Sequence, residues 1–538
     1  MDRHRRALIG ALAAPAVVFV LGFYVWPVVS LAGETINSRA FRDAFSDASI
    51  REVVWFTTWQ AVLSTMSTVA VGLLPAWVLA RFEFRGRRLV TALVTVPFVL
   101  PTVVVGAAFL ALLPDSYDTG VVAILAAHMF FNIAVVVRGV GAVWEQLPAD
   151  LGGAARTLGA SPWRVLREIT LPLLFPAIAA SASVVFLFTF TSFGVVRLLG
   201  GAARSTLEVE IWQRAVRFGD IGVAAVLSLA QLVVLGIAVL WFTHLQARHR
   251  HALGLQPRDV RQRVRSRRER TLVVGTVVAI VAVVVTPLVA MVERSLRTAA
   301  GGGHTLGAWR AVFGDSATTA TNRPPIASTV DALGSLTVSL RYALIAMLIA
   351  VVVGGCASLA IAMLGRAGRV LDTGVMLPLG TSAVTIGFGL LIAFDTPPFD
   401  WRAAPLMIPL GHALVATPFV VRVVLPPLRA IDAQLRDAAA TLGASPVRVW
   451  REVDLRMVVG PLLTGAGFAL AISLGEFGAT TLLTRQGRAT LPIAIEQLLN
   501  KPGAALHAQG YVLATVLAAL TFVAIGAVEL LRGRRARA

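Results

Sequence analysis

Lysine is almost missing from this chain of 538 residues: Lys501 is the single one among 48 basic residues. A phosphate-binding loop of the Walker type needs Gly-Lys-Ser/Thr, and the lone lysine stands in Asn500-Lys501-Pro502. The chain therefore lacks that means of hydrolysing ATP. Cysteine is as scarce. Cys356 alone excludes a disulfide framework and a Cys-based zinc site, and its simplest place is that of a small buried apolar residue. Charge is thin at 14%, against about 25% in a soluble domain. That leaves too few ionised groups to coat a surface in water, while 57% hydrophobic residues exclude disorder. A net charge of +19 would suit nucleic acid, but a mean hydropathy of +0.78 points to a membrane protein with its charges at the edges. No nucleic-acid partner is expected. No His-Glu-x-x-His or Gly-x-Ser-x-Gly appears and no polar dyad stands out, so no catalytic residue is expected.

What the chain has in abundance is long apolar runs. A helix needs about 20 apolar residues to cross the hydrocarbon core. Twelve runs meet this: 8–31, 53–80, 89–113, 120–143, 171–195, 221–245, 271–292, 336–364, 370–394, 405–427, 457–480 and 509–531. The first is longer than the roughly 7–15 residue core of a signal peptide and is expected to be retained. With the N-terminus inside, 32 of the 48 basic residues fall on the inner side. By the positive-inside rule both termini are then cytoplasmic.

The runs are duplicated. Thr157-Leu-Gly-Ala-Ser-Pro-Trp-Arg-Val-Leu-Arg-Glu168 recurs as Thr441-Leu-Gly-Ala-Ser-Pro-Val-Arg-Val-Trp-Arg-Glu452, with ten of twelve positions identical at an offset of 284. The same offset pairs His128 with His412, Phe193-Gly194 with Phe477-Gly478, and Gln213 with Gln497. Upstream the offset is 281, pairing Arg85 with Arg366, Pro97 with Pro378 and Gly106 with Gly387. The expected organisation is all-α: residues 1–245 and 271–538 as two parallel six-helix repeats, joined by an arginine-rich cytoplasmic linker at 246–270 that is solvated rather than lipid-bound. The stretch most alike between the halves is a loop. Lipid-facing helices tolerate any apolar residue, so a loop repeated nearly unchanged points to two identical docking tasks.

Each loop has readable local structure. Asp150 to Leu158 is an alanine-rich helical run, Gly159 supplies the left-handed stop, Ser161 is an N-cap and Pro162 fits the first helical position. A second short helix through Trp163 and Ile169 then lies at the membrane surface. Gly443, Ser445 and Pro446 repeat the signals. At these residues the chain resembles a known family. Gly153-Ala-Ala-Arg-Thr-Leu-Gly-Ala-Ser-Pro162 and Asp437-Ala-Ala-Ala-Thr-Leu-Gly-Ala-Ser-Pro446 look like the "EAA" loop of permease subunits of type I ATP-binding-cassette importers. Leu171-Pro172 matches the family's downstream Leu-Pro. The family's Glu is Gly153 in one copy and Asp437 in the other, and Leu455-Arg456 stands where Leu-Pro is expected in the second.

The resemblance implies coupling loops at 149–170 and 432–456. They would seat Gly159, Ala160, Ser161, Pro162, Arg164 and Arg167, and in the second copy Asp437, Gly443, Ala444, Ser445, Pro446, Arg448 and Arg451, against two copies of a separate ATPase. ATP and Mg would then be bound by that partner, with no cofactor on this chain. It also implies an extracytoplasmic binding protein that delivers the solute, and a path lined by the fifth helix of each half.

Polar groups inside spans are costly and tend to face a cavity or a partner. Thr189 and Ser192 in the fifth run, and Ser473, Glu476 and Thr480 in the eleventh, are the candidates for that path. Thr189 aligns with Ser473 and Ser192 with Glu476. His128 and His412 are expected to hydrogen-bond between helices; two histidines so far apart are a poor metal signal, and no metal site is expected. Pro97, Pro101 and Pro378 are expected to kink the third helix of each half. For cargo, Phe190-Thr-Ser-Phe-Gly194 with Ser205-Thr-Leu-Glu-Val-Glu-Ile211 is similar to the first half of thiamine permeases. Ser473-Leu-Gly-Glu-Phe-Gly-Ala-Thr480 with Leu491-Pro-Ile-Ala-Ile495 is similar to the second half. Thiamine or its phosphates lead, and ferric iron stands close behind. A secondary transporter without an ATPase is the reading from another class, and it leaves the duplicated loop unexplained.

Overall fold

In the computed structural model the described residues are 3–35, 38–147, 149–201, 204–248, 261–298, 302–314, 331–365, 367–395, 400–401, 404–431, 433–485 and 488–535. Within them the chain is helical almost throughout. Ten helices are long and apolar enough to cross a bilayer, from Ile9–Thr35 to Ala504–Ala527. A helix satisfies every backbone N–H and C=O internally, which hydrocarbon demands.

The third apolar run of each half is not one helix. Arg87–Val99 and Thr102–Leu112 meet at 102°, and so do Gly368–Gly380 and Ala383–Ala393. Counting each bent pair as one span gives twelve, at the places the apolar runs mark. A kink was expected there, and the break is far sharper. In the first half Pro101 cannot donate to a helix, and it holds Leu100 extended at φ −65°, ψ 140°. In the second half no proline stands at the corner. Ser382 makes it by capping the next helix, its Oγ accepting from Val384 N at 3.1 Å and Thr385 N at 3.3 Å. Pro97 lies within the helix Arg87–Val99, and Pro378 in the tight turn Leu377–Gly380 that precedes the corner.

The described chain forms two compact units. One comprises Met1–Ser46, Ile211–Leu229 and Ser295–Ala538; the other comprises Asp47–Glu210 and Ala230–Arg294. Each unit thus draws on both sequence repeats. In the first, Ala16, Phe19, Val20 and Tyr24 of the first span share a core with Tyr342, Ala346, Leu390, His412's neighbours Ala413 and Leu414, and Val420. Tyr24 Oη lies 2.6 Å from Thr381 Oγ1, beside the third-span corner. In the second unit, Ile280 and Val284 of the helix Arg267–Leu296 pack with Leu79, Val90, Val94 and Ile133. Ahead of that helix, Gln262–Arg263 pairs in parallel with Phe82–Glu83, and Glu145 accepts from Arg87 and, at 3.3 Å, from Arg261. The first helix of each repeat therefore completes the core built around the other repeat's second to fifth helices. The linker's central part, 249–260, lies outside the described residues.

Helix-to-helix approach within each unit uses small residues, since lipid is as apolar as leucine and close packing has to do the work. Gly72 faces Val136 and Gly354 faces Val420; a methyl at either glycine would sit 2.8 Å and 2.9 Å from the valine. Val136 and Val420 are repeat mates at the 284 offset.

Candidate functional site: two docking loops and two broken helices

Both repeated loops fold as their residues dictate. Ala149–Thr157 is a helix, and Gly159 turns it at φ +85°. Ser161 then caps the next turn, its Oγ accepting from Arg164 N at 3.3 Å, with Pro162 in the first helical position. In the second copy Ala433–Thr441 precedes Gly443 at φ +81°. There Ser445 Oγ accepts from Arg448 N at 3.4 Å, and Pro446 opens the short helix Pro446–Val449. The second helix of each loop is not a separate surface helix, as the sequence had suggested. It passes through one wide π-turn, Leu166–Thr170 or Trp450–Asp454, and runs on into the fifth span. Each repeated loop is therefore continuous with the helix behind it.

The tips are bare. Leu158 and Leu442, repeat mates beside the two turning glycines, are each 89% exposed, and Trp163 is 67% exposed. Gly159, Ser161, Arg164, Arg167, Asp437, Gly443, Ser445, Arg448 and Arg451 are exposed, and Ala160 and Ala444 half-buried. Arg164 pairs with Glu168 at 3.0 Å and Arg451 with Glu452 at 3.3 Å, exposed contacts worth little to stability. Each loop thus presents an exposed leucine on a folded turn, with exposed arginines in the short helix that follows.

The fifth helices end earlier than their apolar runs. Leu171–Phe190 stops, and after Thr191-Ser192-Phe193 the chain restarts as Gly194–Leu199. Leu455–Gly475 stops likewise, and Gly478–Leu483 follows Glu476 and Phe477. A buried histidine from the fourth span sits at each break. His128 Nε2 meets Ser192 Oγ at 2.8 Å, and its Nδ1 meets Ser64 Oγ of the second span at 3.0 Å. His412 Nδ1 meets Ser473 Oγ and its Nε2 meets Thr480 Oγ1, both at 2.7 Å, so that it clasps the two sides of one break. Interhelical bonding is thus what both histidines do.

All five path candidates are buried. Thr189 Oγ1 donates to Val185 O at 2.9 Å, and its own carbonyl accepts from Gln60 Nε2 at 3.0 Å. Ser192, Ser473 and Thr480 are the histidines' partners. Glu476 was placed well inside a span; it stands instead at the break, where the backbone turns extended (φ −69°, ψ 119°), and its Oε1 accepts from Ala479 N at 3.0 Å. It caps the helix that restarts. The structure therefore gathers these residues into the two breaks, each hydrogen-bonded within its own unit.

Sequence reasoning missed several members. Ser64 and Gln60 lie on the second span, whose long apolar run hid them. Glu208 is fully buried and accepts from Gln231, and Glu210 is buried beside it, so Glu476 is one of three buried acids among the described residues. The signal was present: Leu207, Val209 and Ile211 interleave with them, and the stretch forms the helix Leu207–Trp212. After each break the short helix packs on the far arm of the third-span corner. There Gly106 meets Leu198, and Gly387 meets the backbone of Ala479. Among the described residues no cluster of three or more His, Cys, Asp or Glu is placed to hold a metal.

Comparison with known proteins agrees with this duplicated design. The family model described as "Binding-protein-dependent transport system inner membrane component" matches twice, at residues 68–251 and 346–537. The chain is 27% identical to the thiamine transport system permease protein ThiP of Escherichia coli over 92% of its own length and 91% of the relative's. It is 28% identical to the ThiP protein of Brucella suis, with 91% of each chain covered. A probable ABC transporter permease protein of Sinorhizobium fredii is 25% identical over 88% of each chain. Together with the two folded loops and the many apolar helices, these matches show that the chain belongs to the binding-protein-dependent transport system inner membrane components, a multi-pass inner-membrane permease with both copies of the permease unit fused in one polypeptide.

Proposed function

We propose that this chain forms the membrane path of an ATP-driven importer of thiamine or its phosphates, and that its two loops each seat one copy of a separate ATPase subunit. The observation that carries the ATPase contact is the pair of bare leucines, Leu158 and Leu442, on identical turns. One exposed leucine alone means little; the same leucine bared at the same place on two nearly identical loops supports a shared partner. ATP and Mg belong to the partner, since Lys501 lies in no phosphate-binding loop. A binding protein on the outer face supplies the solute. Arginine distribution supports loops and both termini on the cytoplasmic side. Residues 1–245 and 271–538 act as the two permease repeats.

The continuity of each loop with its fifth helix supports a transmission route. Closure of the ATPases moves Gly159 and Gly443 together, and the helices behind them carry that movement to the breaks at 191–193 and 476–477. Thr189, Ser192, Ser473, Glu476 and Thr480 serve there as the fittings of a hinge beside the path. The thiamine assignment is supported by relatives of that name aligned over nine-tenths of the chain. Its test is reconstitution of the chain with its ATPase and binding protein in vesicles. ATP-dependent accumulation of labelled thiamine is expected. Accumulation of ferric iron and not thiamine would overturn the cargo, and uptake without the ATPase would overturn the class.

A further inference from the structure

The arginine-rich linker ends on a folded platform. Residues 261–270 carry six arginines and a single acid, Glu269. Gln262–Arg263 pairs with Phe82–Glu83, the stretch that follows the second span. Val264 packs against the cluster of Val78, Phe82 and Val273, so this part of the linker lies on the protein. Arg263 and Arg265, on either side of Val264, are exposed. Arg85, just beyond the partner strand, is exposed as well.

The helix Arg267–Leu296 starts at this platform, and Arg267, Arg268 and Arg270 are exposed at its beginning. Cations are unfavourable there, because the helix dipole is positive at its N-terminus. The one acid of the stretch is committed to a capping box. Glu269 Oε2 accepts from Arg265 N at 2.8 Å and from Ser266 N at 3.0 Å, and Ser266 Oγ accepts from Glu269 N at 3.1 Å. Arg261 reaches Glu145 at 3.3 Å. The other five arginines are a fixed surplus of positive charge, which favours an anion from outside the chain.

The neighbourhood selects the anion. Leu272 and Val273 of the same helix already sit in the apolar cluster. The arginines therefore lie within about one helical turn of the segment that enters hydrocarbon. A cluster of about four to eight basic residues directly beside a span is the pattern that holds anionic lipid. A leaflet offers many phosphates in one plane, and these arginines are spread over a strand, a turn and a helix start.

We infer that this platform is a docking surface for anionic phospholipid, with Arg263, Arg265, Arg267, Arg268 and Arg270 against the headgroup phosphates. Lipid held there also steadies the first repeated loop. Arg261 and Arg87 share Glu145, which closes the fourth span just ahead of the loop helix Ala149–Thr157. The inference rests on the proposed topology only for which leaflet supplies the lipid.

The test uses the full chain in phosphatidylcholine vesicles with a trace of spin-labelled phosphatidylglycerol or spin-labelled phosphatidylcholine. Electron paramagnetic resonance reads the motionally restricted fraction of each. Wild type is expected to restrict phosphatidylglycerol over phosphatidylcholine and to lose that preference in high salt. The salt response is read on wild type and stands whether or not the variants fold. Arg263→Gln/Arg265→Gln/Arg268→Gln is expected to weaken the preference at least about fivefold, the weight of about one arginine at a lipid surface. Arg263→Lys/Arg265→Lys/Arg268→Lys keeps the charge and is expected to keep the preference. Arg42→Gln/Arg204→Gln/Arg310→Gln removes as much charge from exposed arginines elsewhere and is expected to behave as wild type. Equal restriction of the two lipids by wild type, a preference untouched by salt, or an equal loss in the Arg42/Arg204/Arg310 variant would overturn the inference. So would a glutamine variant that keeps its lipid preference and instead loses the copurifying ATPase, which would give the patch to that partner. The lipid readings need no ATPase or solute, so their failure leaves the importer reading standing. A lipid preference without ATP-driven uptake overturns only the importer reading.

Discussion

The two repeats keep the same histidine and use it differently. His128 ties its break to the second span through Ser64, so the first break is held from outside. His412 clasps Ser473 and Thr480, so the second break is held from within the same helix pair. The exchange is legible residue by residue. Ser64 becomes Ile345 in the second repeat and Thr480 corresponds to Val196, while Ser192 corresponds to Glu476, which caps the restarting helix. Duplication preserved the polar group costly to bury, and the partners that satisfy it drifted independently in each copy. A buried imidazole needs two partners, not two particular ones.

The largest effect is expected where the halves agree. Gly159→Trp with Gly443→Trp puts a bulky side chain on both exposed turns at positive φ, and ATP-driven uptake by reconstituted vesicles should fall to background while the chain still inserts. Next is a place where they differ. A methyl at Gly387 would sit 2.7 Å from Ala479 Cα, which is backbone, whereas one at Gly106 would sit 2.8 Å from Leu198 Cδ1, a side-chain tip. Gly387→Ala should therefore cost about 2–3 kcal/mol and Gly106→Ala about 1 kcal/mol, read as thermal unfolding in nanodiscs; equal losses would break the comparison. His412→Ala and His128→Ala should each cost about 2 kcal/mol but at different places. Amide exchange should rise at 476–483 in the first and at 191–193 together with the second span in the second. The smallest effect separates a cap from a charge. Glu476→Ala should cost about 1 kcal/mol by losing the acceptor for Ala479 N, while Glu476→Gln keeps an oxygen there and should leave both stability and uptake near wild type. A large uptake loss in Glu476→Gln would instead give the charge a role in the path.

Much of the site was visible in the residues. Gly159, Ser161 and Pro162, with their repeats, specify a stop, a cap and a first turn that need no tertiary help, and the twelve apolar runs coincide with the helices and bent pairs. The exchange of first helices between repeats was not visible, because an apolar helix face packs against protein or lipid with the same side chains. Nor was the corner at Ser382, where a serine cap does what Pro101 does in the other half. The breaks at 191–193 and 476–477 lay hidden inside continuous apolar runs, since hydrophobicity reports burial and not backbone direction. The helix Leu207–Trp212 was concealed by its own buried glutamates.

In the proposed function each repeat offers one equivalent loop to one ATPase. Native mass spectrometry of the chain purified with its ATPase, in wild type and in Leu158→Glu and Leu442→Glu single variants, tests it most directly. Two ATPase copies per wild-type chain and a weakened assembly in either variant are predicted. A single copy in the wild type, or two copies held undiminished when both leucines are changed together, would contradict it.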